Sequence, residues 1–166
     1  MRSFTKLCVV FIFFALSTSL FAQASASATA QVLAQLKKGL TLTNLDGNLD
    51  FGEIIVTPAP QTPTIAPALG VRFLASGHPN KDVFVTFGPA TLTGGASTIV
   101  FTPNVVHTGN TSTYVNPIAV TSGGSYQLVN TTGTGLLYLW LGGSLAIAAD
   151  QEAADYSGTF TMTVAY

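Results

Sequence analysis

The chain has 166 residues, a formal net charge of −1, a mean hydropathy of +0.47 and only 8% charged side chains. That balance excludes the basic footprint of a nucleic-acid binder or of a protein drawn to anionic lipid. A single cysteine, Cys8, excludes a disulfide framework.

The first 24 residues read as a signal peptide. Arg2 and Lys6 give a positive start, an apolar run follows from Leu7 to Leu16, and small residues lead to Ala22-Gln23-Ala24, an A-x-A cleavage pattern. The run is well short of the about 20 residues that span a bilayer, so the expected mature chain has no membrane span and is secreted, to the extracellular space or the cell surface. It keeps four basic residues (Lys37, Lys38, Arg72, Lys81) against seven acidic ones (Asp46, Asp50, Glu53, Asp82, Asp150, Glu152, Asp155), a formal charge of −3, and no cysteine. A core and hydrogen-bond ladders must therefore hold it together. Thr, Ser, Asn and Gly stand where charge normally does, which suits a chain that buries much of its exterior in an assembly.

Residues 25–38 form an N-terminal extension. Up to Leu36 the even positions are apolar (Ala26, Ala28, Ala30, Val32, Ala34 and Leu36) and the odd ones are polar apart from Leu33; Lys37-Lys38-Gly39 breaks the pattern. Period-two alternation is the signature of a strand with one buried face. Counted from Ala24, thirteen residues at about 3.3 Å each reach roughly 40 Å, about twice an ordinary strand.

Residues 39–166 read as one antiparallel β-sandwich domain. Strands are expected over 40–44 and 49–56, joined by a turn at Asp46-Gly47-Asn48. Pro58, Pro60, Pro63 and Pro67 make the next stretch an irregular edge or loop. Strands follow over 71–75 and 82–87 around the 77–81 turn, then over 98–101, 113–115 and 125–129. The apolar run Leu-Leu-Tyr-Leu-Trp-Leu at 136–141 should be buried, ended by Gly142-Gly143, with a strand again over 144–148. In the last segment Phe160, Met162, Val164 and Tyr166 share one face, opposite Thr159, Thr161 and Thr163. No helical periodicity interrupts these roughly nine strands.

Three stretches resemble a bacterial exported family, the "domain of unknown function 4402" proteins: the Ala/Ser/Thr-rich extension leading into Leu40-Thr41-Leu42-Thr43-Asn44, then Leu49-Asp50-Phe51-Gly52-Glu53-Ile54, and finally Gly143-Ser144-Leu145-Ala146-Ile147 continuing to Asp155-Tyr156-Ser157-Gly158-Thr159-Phe160 and on to Tyr166. The closing Tyr-Ser-Gly-Thr-Phe block is also similar to the final strand of fimbrial and spore-coat-type subunits. The resemblance implies an immunoglobulin-like sandwich able to join surface filaments. The chain departs from many pilins in having no disulfide.

Several residues are candidates for function. Ala26, Ala28, Ala30, Val32, Ala34 and Leu36 have the pattern of a donor strand, an extended segment that adds to a neighbour's sheet through main-chain hydrogen bonds and alternate side chains. The same pattern suits a first strand in the chain's own sheet, or a tail. Phe160, Met162, Val164 and Tyr166 are the candidate acceptor face. Asp46, Asn48 and Asp50 have the opening spacing of a calcium loop, but Phe51 stands where its glycine belongs and Thr57 where its glutamate belongs, so a plain turn is the simpler reading. Tyr138 and Trp140, two apart on one strand face, with Tyr114 and Tyr126, are candidates for sugar stacking; Trp140 equally fits a sandwich core. The sequons at Asn110 and Asn130 read as turn residues.

No nucleophile elbow, HExxH helix or mature thiol is present, and His78 and His107 lie in loops. The sequence thus favours a non-enzymatic subunit, without cofactor, whose partners are copies of itself assembled into a pilus-like filament or surface layer. The alternative is a monomeric secreted polysaccharide-binding module.

Overall fold

The computed structural model describes residues 29–31 and 33–166. Ala26, Ala28 and Val32 of the expected donor strand lie outside these. Residues 29–31 and 33–35 belong to no strand and are exposed. The following unit, Leu36–Tyr166, holds eleven strands: β1 (Thr41–Asn44), β2 (Thr64–Ile65), β3 (Val71–Gly77), β4 (Asp82–Phe87), β5 (Ala90–Gly94), β6 (Ser97–His107), β7 (Ile118–Ala119), β8 (Gly124–Gln127), β9 (Val129–Thr131), β10 (Thr134–Ala146) and β11 (Met162–Ala165). One short 3-10 turn, Pro67–Leu69, precedes β3. All pairings are antiparallel. The larger sheet runs β1-β3-β10-β6-β5, with β2, β7 and β9 attached at its margins, and the smaller runs β11-β4-β8. The fold is an all-β antiparallel sandwich, as the alternation predicts.

Alternation decides which side chains meet between the sheets. From β10, Leu137, Leu139, Leu141 and Leu145 point inward, and Ile147 continues the same parity just beyond it. Val71 and Ala75 of β3, with Ile99, Phe101 and Val105 of β6, do likewise. Val83 and Val85 of β4 and Met162 of β11 face them from the smaller sheet, with Leu128 between. Leu128, Leu137, Leu139, Val83 and Val85 are completely enclosed, and no polar side chain is buried with them. Fully burying such a side chain contributes about 1.5–3 kcal/mol, so this layer is what takes the place of disulfides.

The structure departs from the expected strands at five places. Gly142-Gly143 does not end the apolar run; β10 continues through both and pairs with β6 from Leu139↔His107 to Ala146↔Val100. These glycines allow close approach. A Cβ on Gly142 would run into the Ile65 carbonyl and stand 2.6 Å from the Pro67 nitrogen, where β2 crosses over. A Cβ on Gly143 would meet the Phe101 ring at 2.5 Å. β6 is far longer than 98–101. Its Pro103 falls between the stretch paired with β5 and that paired with β7, where an open edge tolerates the missing N–H. Residues 49–56 form no strand: the Asp50 carboxylate accepts a hydrogen bond from the Gly52 N–H at 2.8 Å, and Gly52 sits at φ +67°. That local turn competes with sheet pairing. Residues 113–115 also lie outside any strand. The β5–β6 hairpin, closed through Gly95-Ala96, replaces a loop.

Gly142→Ala should lower stability by about 1–3 kcal/mol, the usual cost of forcing extra volume into a packed site. Gly39→Ala, where a Cβ would meet nothing within 4 Å, should stay within about 0.5 kcal/mol of the parent. Chemical denaturation of the two variants checks this.

Candidate functional site

Antiparallel register gives the unit two distinct ends. One carries the β3–β4 turn at 78–81, the β9–β10 turn at 132–133 and the start of β1. The other carries the end of β1, the start of β3, the β5–β6 turn and the end of β10. Gly77 and Val71, facing Gly135 and Leu141, mark a separation of roughly 20 Å along β3 at about 3.3 Å per residue.

At the first end the chain enters the domain under a clamp. The Tyr166 hydroxyl accepts from the His78 N–H at 2.7 Å and donates to the Lys38 carbonyl at 3.0 Å. The Lys38 ammonium donates to the Gly133 carbonyl at 2.6 Å and to Thr134 Oγ1 at 3.0 Å. Lys37 stands over the Tyr166 ring, 5.7 Å from its centre. The last residue thus fixes where the extension leaves, and Leu36 just outside is 86% exposed.

At the second end a groove of about 560 Å³ opens on the larger sheet. Its floor is apolar: Val71, Phe73, Leu92, Phe101, Leu141 and Leu145. One wall comes from residues 44–51 and the other from residues 156–160. Both lean on Phe101. The Phe51 ring meets it edge-on at 6.1 Å and the Phe160 ring at 6.0 Å. Each wall continues as chain without sheet partners. Among the described residues, 48–56 and 158–161 form no backbone–backbone hydrogen bond; side chains take the Gly52 N–H (Asp50) and the Ile55 carbonyl (Gln61 Nε2), and the other main-chain groups are open to pairing.

The expected acceptor face is divided by this geometry. Phe160 lines the groove. Met162 and Val164 belong to the core contacts of β11, and Tyr166 is the clamp at the opposite end. Phe51 and Phe101 are groove residues the sequence did not single out. Phe51 sits in a segment read as plain strand, and Phe101 is defined by its place beside Gly143, a contact between residues far apart in sequence.

The calcium candidates do not converge. Asp46 holds Arg72 in a two-pronged ion pair, Nε to Oδ2 at 2.7 Å and Nη2 to Oδ1 at 2.6 Å, and also accepts the Arg72 N–H at 2.9 Å. This hydrogen bonding to Arg72 holds the Asp46 carboxyl below its ordinary range and raises the guanidinium. Asp50 is occupied with the Gly52 N–H. Among the described residues no three His, Cys, Asp or Glu side chains gather as metal ligands. Asp46 instead ties the turn after β1 to β3.

Arg72 also lies 5.5 Å from the Trp140 ring centre, and Tyr114 meets that ring edge-on at 5.2 Å. Trp140 Nε1 donates to Thr108 Oγ1 at 3.0 Å. Trp140 is therefore buried, at 7% exposure, yet on the outer face of the large sheet, opposite in parity to Leu139 and Leu141. Tyr138 shares that face and is half-buried. Tyr126 lies elsewhere, against His107 at 5.2 Å. Asn130, read as a turn residue, lies in β9 opposite Gly135, and its side chain accepts the Gly133 N–H of the β9–β10 turn at 3.0 Å.

Because Trp140 is the only tryptophan, its fluorescence reports this cluster alone. Acrylamide should quench it weakly in the native protein and more strongly in Arg72→Ala, and added polysaccharide should leave it unmoved.

His107 gives a pH signature. Burial lowers its pKa from 6.5, and its Nδ1 accepts the Gly109 N–H at 3.3 Å. The unfolded chain takes up this proton first as pH falls. The contribution of neutral His107 is thus full above pH 6.5 and is lost as pH falls from there through the lowered folded value. Denaturation midpoints measured across this range should drop on acidification, and His107→Gln should flatten the slope.

No helix among the described residues is long and apolar enough to cross a membrane. Comparison with curated proteins gives no match. The family described as domain of unknown function (DUF4402) matches residues 40–166, from the root of β1 through both groove walls to the Tyr166 clamp, and the chain belongs to that family.

Proposed function

We propose that the protein is an exported, non-enzymatic structural subunit of the bacterial cell surface that assembles with copies of itself by strand donation. Residues 25–38 of one copy enter the groove of the next. The observation that carries this is the groove: an apolar floor between two chain segments that, over 48–56 and 158–161, form no backbone–backbone hydrogen bond. Such a slot offers an added strand main-chain partners on both sides and a place for alternate apolar side chains. Ala30, Ala34 and Leu36, with Ala26, Ala28 and Val32, supply that parity. Small alanines suit a groove already half filled by Phe51 and Phe160.

The two ends support the same reading. The extension is rooted at the Tyr166 clamp and the groove opens at the other end, so joining copies root to groove gives a head-to-tail contact that propagates into a filament. The polysaccharide-binding alternative draws less support, because Trp140 lies under Arg72 and Tyr114.

Deleting residues 25–36 should leave a folded monomer by size exclusion, where the parent mature chain forms polymers seen by negative-stain microscopy. A synthetic peptide of residues 25–38 should then bind the truncated domain and stabilise it, by about 2.7 kcal/mol at a hundredfold excess over Kd. Unchanged assemblies from the truncated protein would sink the proposal.

A further inference from the structure

The charges of the described chain are sorted between its two ends. Among the described residues the one ion pair joins Arg72 to Asp46, which leaves three lysines without a carboxylate partner. All three stand at the clamp end: Lys37 and Lys38 at the root of the extension, and Lys81 in the β3–β4 turn. Asp82, beside Lys81, is the lone acid there. The other five acids belong to the groove end. Asp50 lines the groove, and Asp155 precedes Tyr156, which lines it too. Glu53 follows on the Phe51 wall, Asp150 donates its N–H to the Thr57 carbonyl beyond β10, and Glu152 caps the Ala96 N–H in the β5–β6 turn.

Chain continuity turns this sorting into a contact. If the segment ending at Leu36 fills a neighbour's groove, Lys37 and Lys38 are the next residues and must lie at its mouth. They arrive with an ammonium over a neutral ring and an ammonium on a carbonyl and a hydroxyl. Facing them is a rim that carries Asp50 and Asp155 and no lysine. Like ends of two copies repel, lysine end to lysine end and acid end to acid end, whereas unlike ends attract. We infer that the joint between copies is electrostatically polar: the Lys37-Lys38 pair of one copy docks on the acidic groove rim of the next, at Asp50 and Asp155. This rests on the strand-donation reading. It adds that the charges choose head-to-tail over head-to-head joining and speed the encounter before the strand inserts.

The test uses the full mature chain. Assembly, followed by light scattering and sedimentation, should slow as salt rises, since exposed charges are screened beyond roughly 10 Å at 0.1 M salt. Lys37→Glu alone, which gives up only the ring contact, should slow assembly about three- to tenfold at low salt, and Lys37→Glu/Lys38→Glu should slow it further. Asp155→Lys, whose carboxylate makes no hydrogen bond among the described residues, should slow it similarly. Combining Asp155→Lys with Lys37→Glu in one chain should restore the rate, because every joint then regains an opposite pair. Trp140 emission confirms that each variant is folded. Assembly of Lys37→Glu and Asp155→Lys at the parent rate, or a double variant slower than either single one, would overturn the polar joint. The 25–36 deletion separates the two ideas: if it abolishes assembly while these variants behave like the parent, donation stands and the polar joint falls.

Discussion

Everything in the larger sheet hangs on β10. It is the strand to which β3, β6, β2 and β9 all pair, and its inward leucines form the middle of the core. It keeps one parity across thirteen residues because Gly142 and Gly143 continue the strand with no side chain to place. The space they leave is filled from both sides, by the β2 crossing over Gly142 and the Phe101 ring against Gly143. The second of these reaches the groove directly. Phe101 sits where a Cβ on Gly143 would be, and Phe51 and Phe160 rest on Phe101 from opposite walls. A pair of glycines in the best-paired strand thereby sets the width of an opening at the end of the molecule.

Much of the sheet architecture was legible as period-two patterning. The 71–75, 82–87 and 136–141 segments stand where alternation and apolar runs place them, and the proline-rich stretch is largely irregular, its pairing limited to the two residues of β2 and a bridge from Gln61 to Ile147. What could not be read was of two kinds. Local turn chemistry overrode pattern at 49–56, where Asp50 and Gly52 make a turn inside an alternating stretch. Long-range packing overrode local signals at Gly142-Gly143, since a glycine that admits a neighbour's backbone and one that ends a strand look alike in sequence. The length of β6 depends on context in a related way: Pro103 is tolerated in a long strand when its edge is uncovered at that residue, which depends on where β5 ends and β7 begins.

The candidate sites were legible in the same uneven way. The donor pattern is local and needs no fold to be seen. The acceptor is not local; its floor draws on β3, β5, β6 and β10, and of the four residues read from the last segment only Phe160 reaches it. Trp140 shows how parity refines a correct expectation of burial. Tyr138 and Trp140 do share a face, but the outer one. Trp140 is buried by Arg72, which Asp46 holds in place, and by Tyr114 from an irregular loop.

The clamp at Tyr166 brings these strands together. A segment that is to be given to another molecule must leave its own domain at a fixed point without being drawn into the nearby sheet. Two hydrogen bonds at one phenol, reinforced by the Lys38 contacts with Gly133 and Thr134 and by Lys37 over the Tyr166 ring, hold the chain at Lys37 and Lys38. The groove, for its part, gathers two walls that continue as chain without backbone–backbone hydrogen bonds at 48–56 and 158–161, at the end of the sandwich away from that root. In the proposed joint, a second copy placed root to groove would receive the extension at the end of its sandwich away from its own root. Root and groove are different surfaces, so each joint leaves a free root at one end and a free groove at the other. Under the strand-donation proposal growth then has a direction, and the assembly it would build is open-ended.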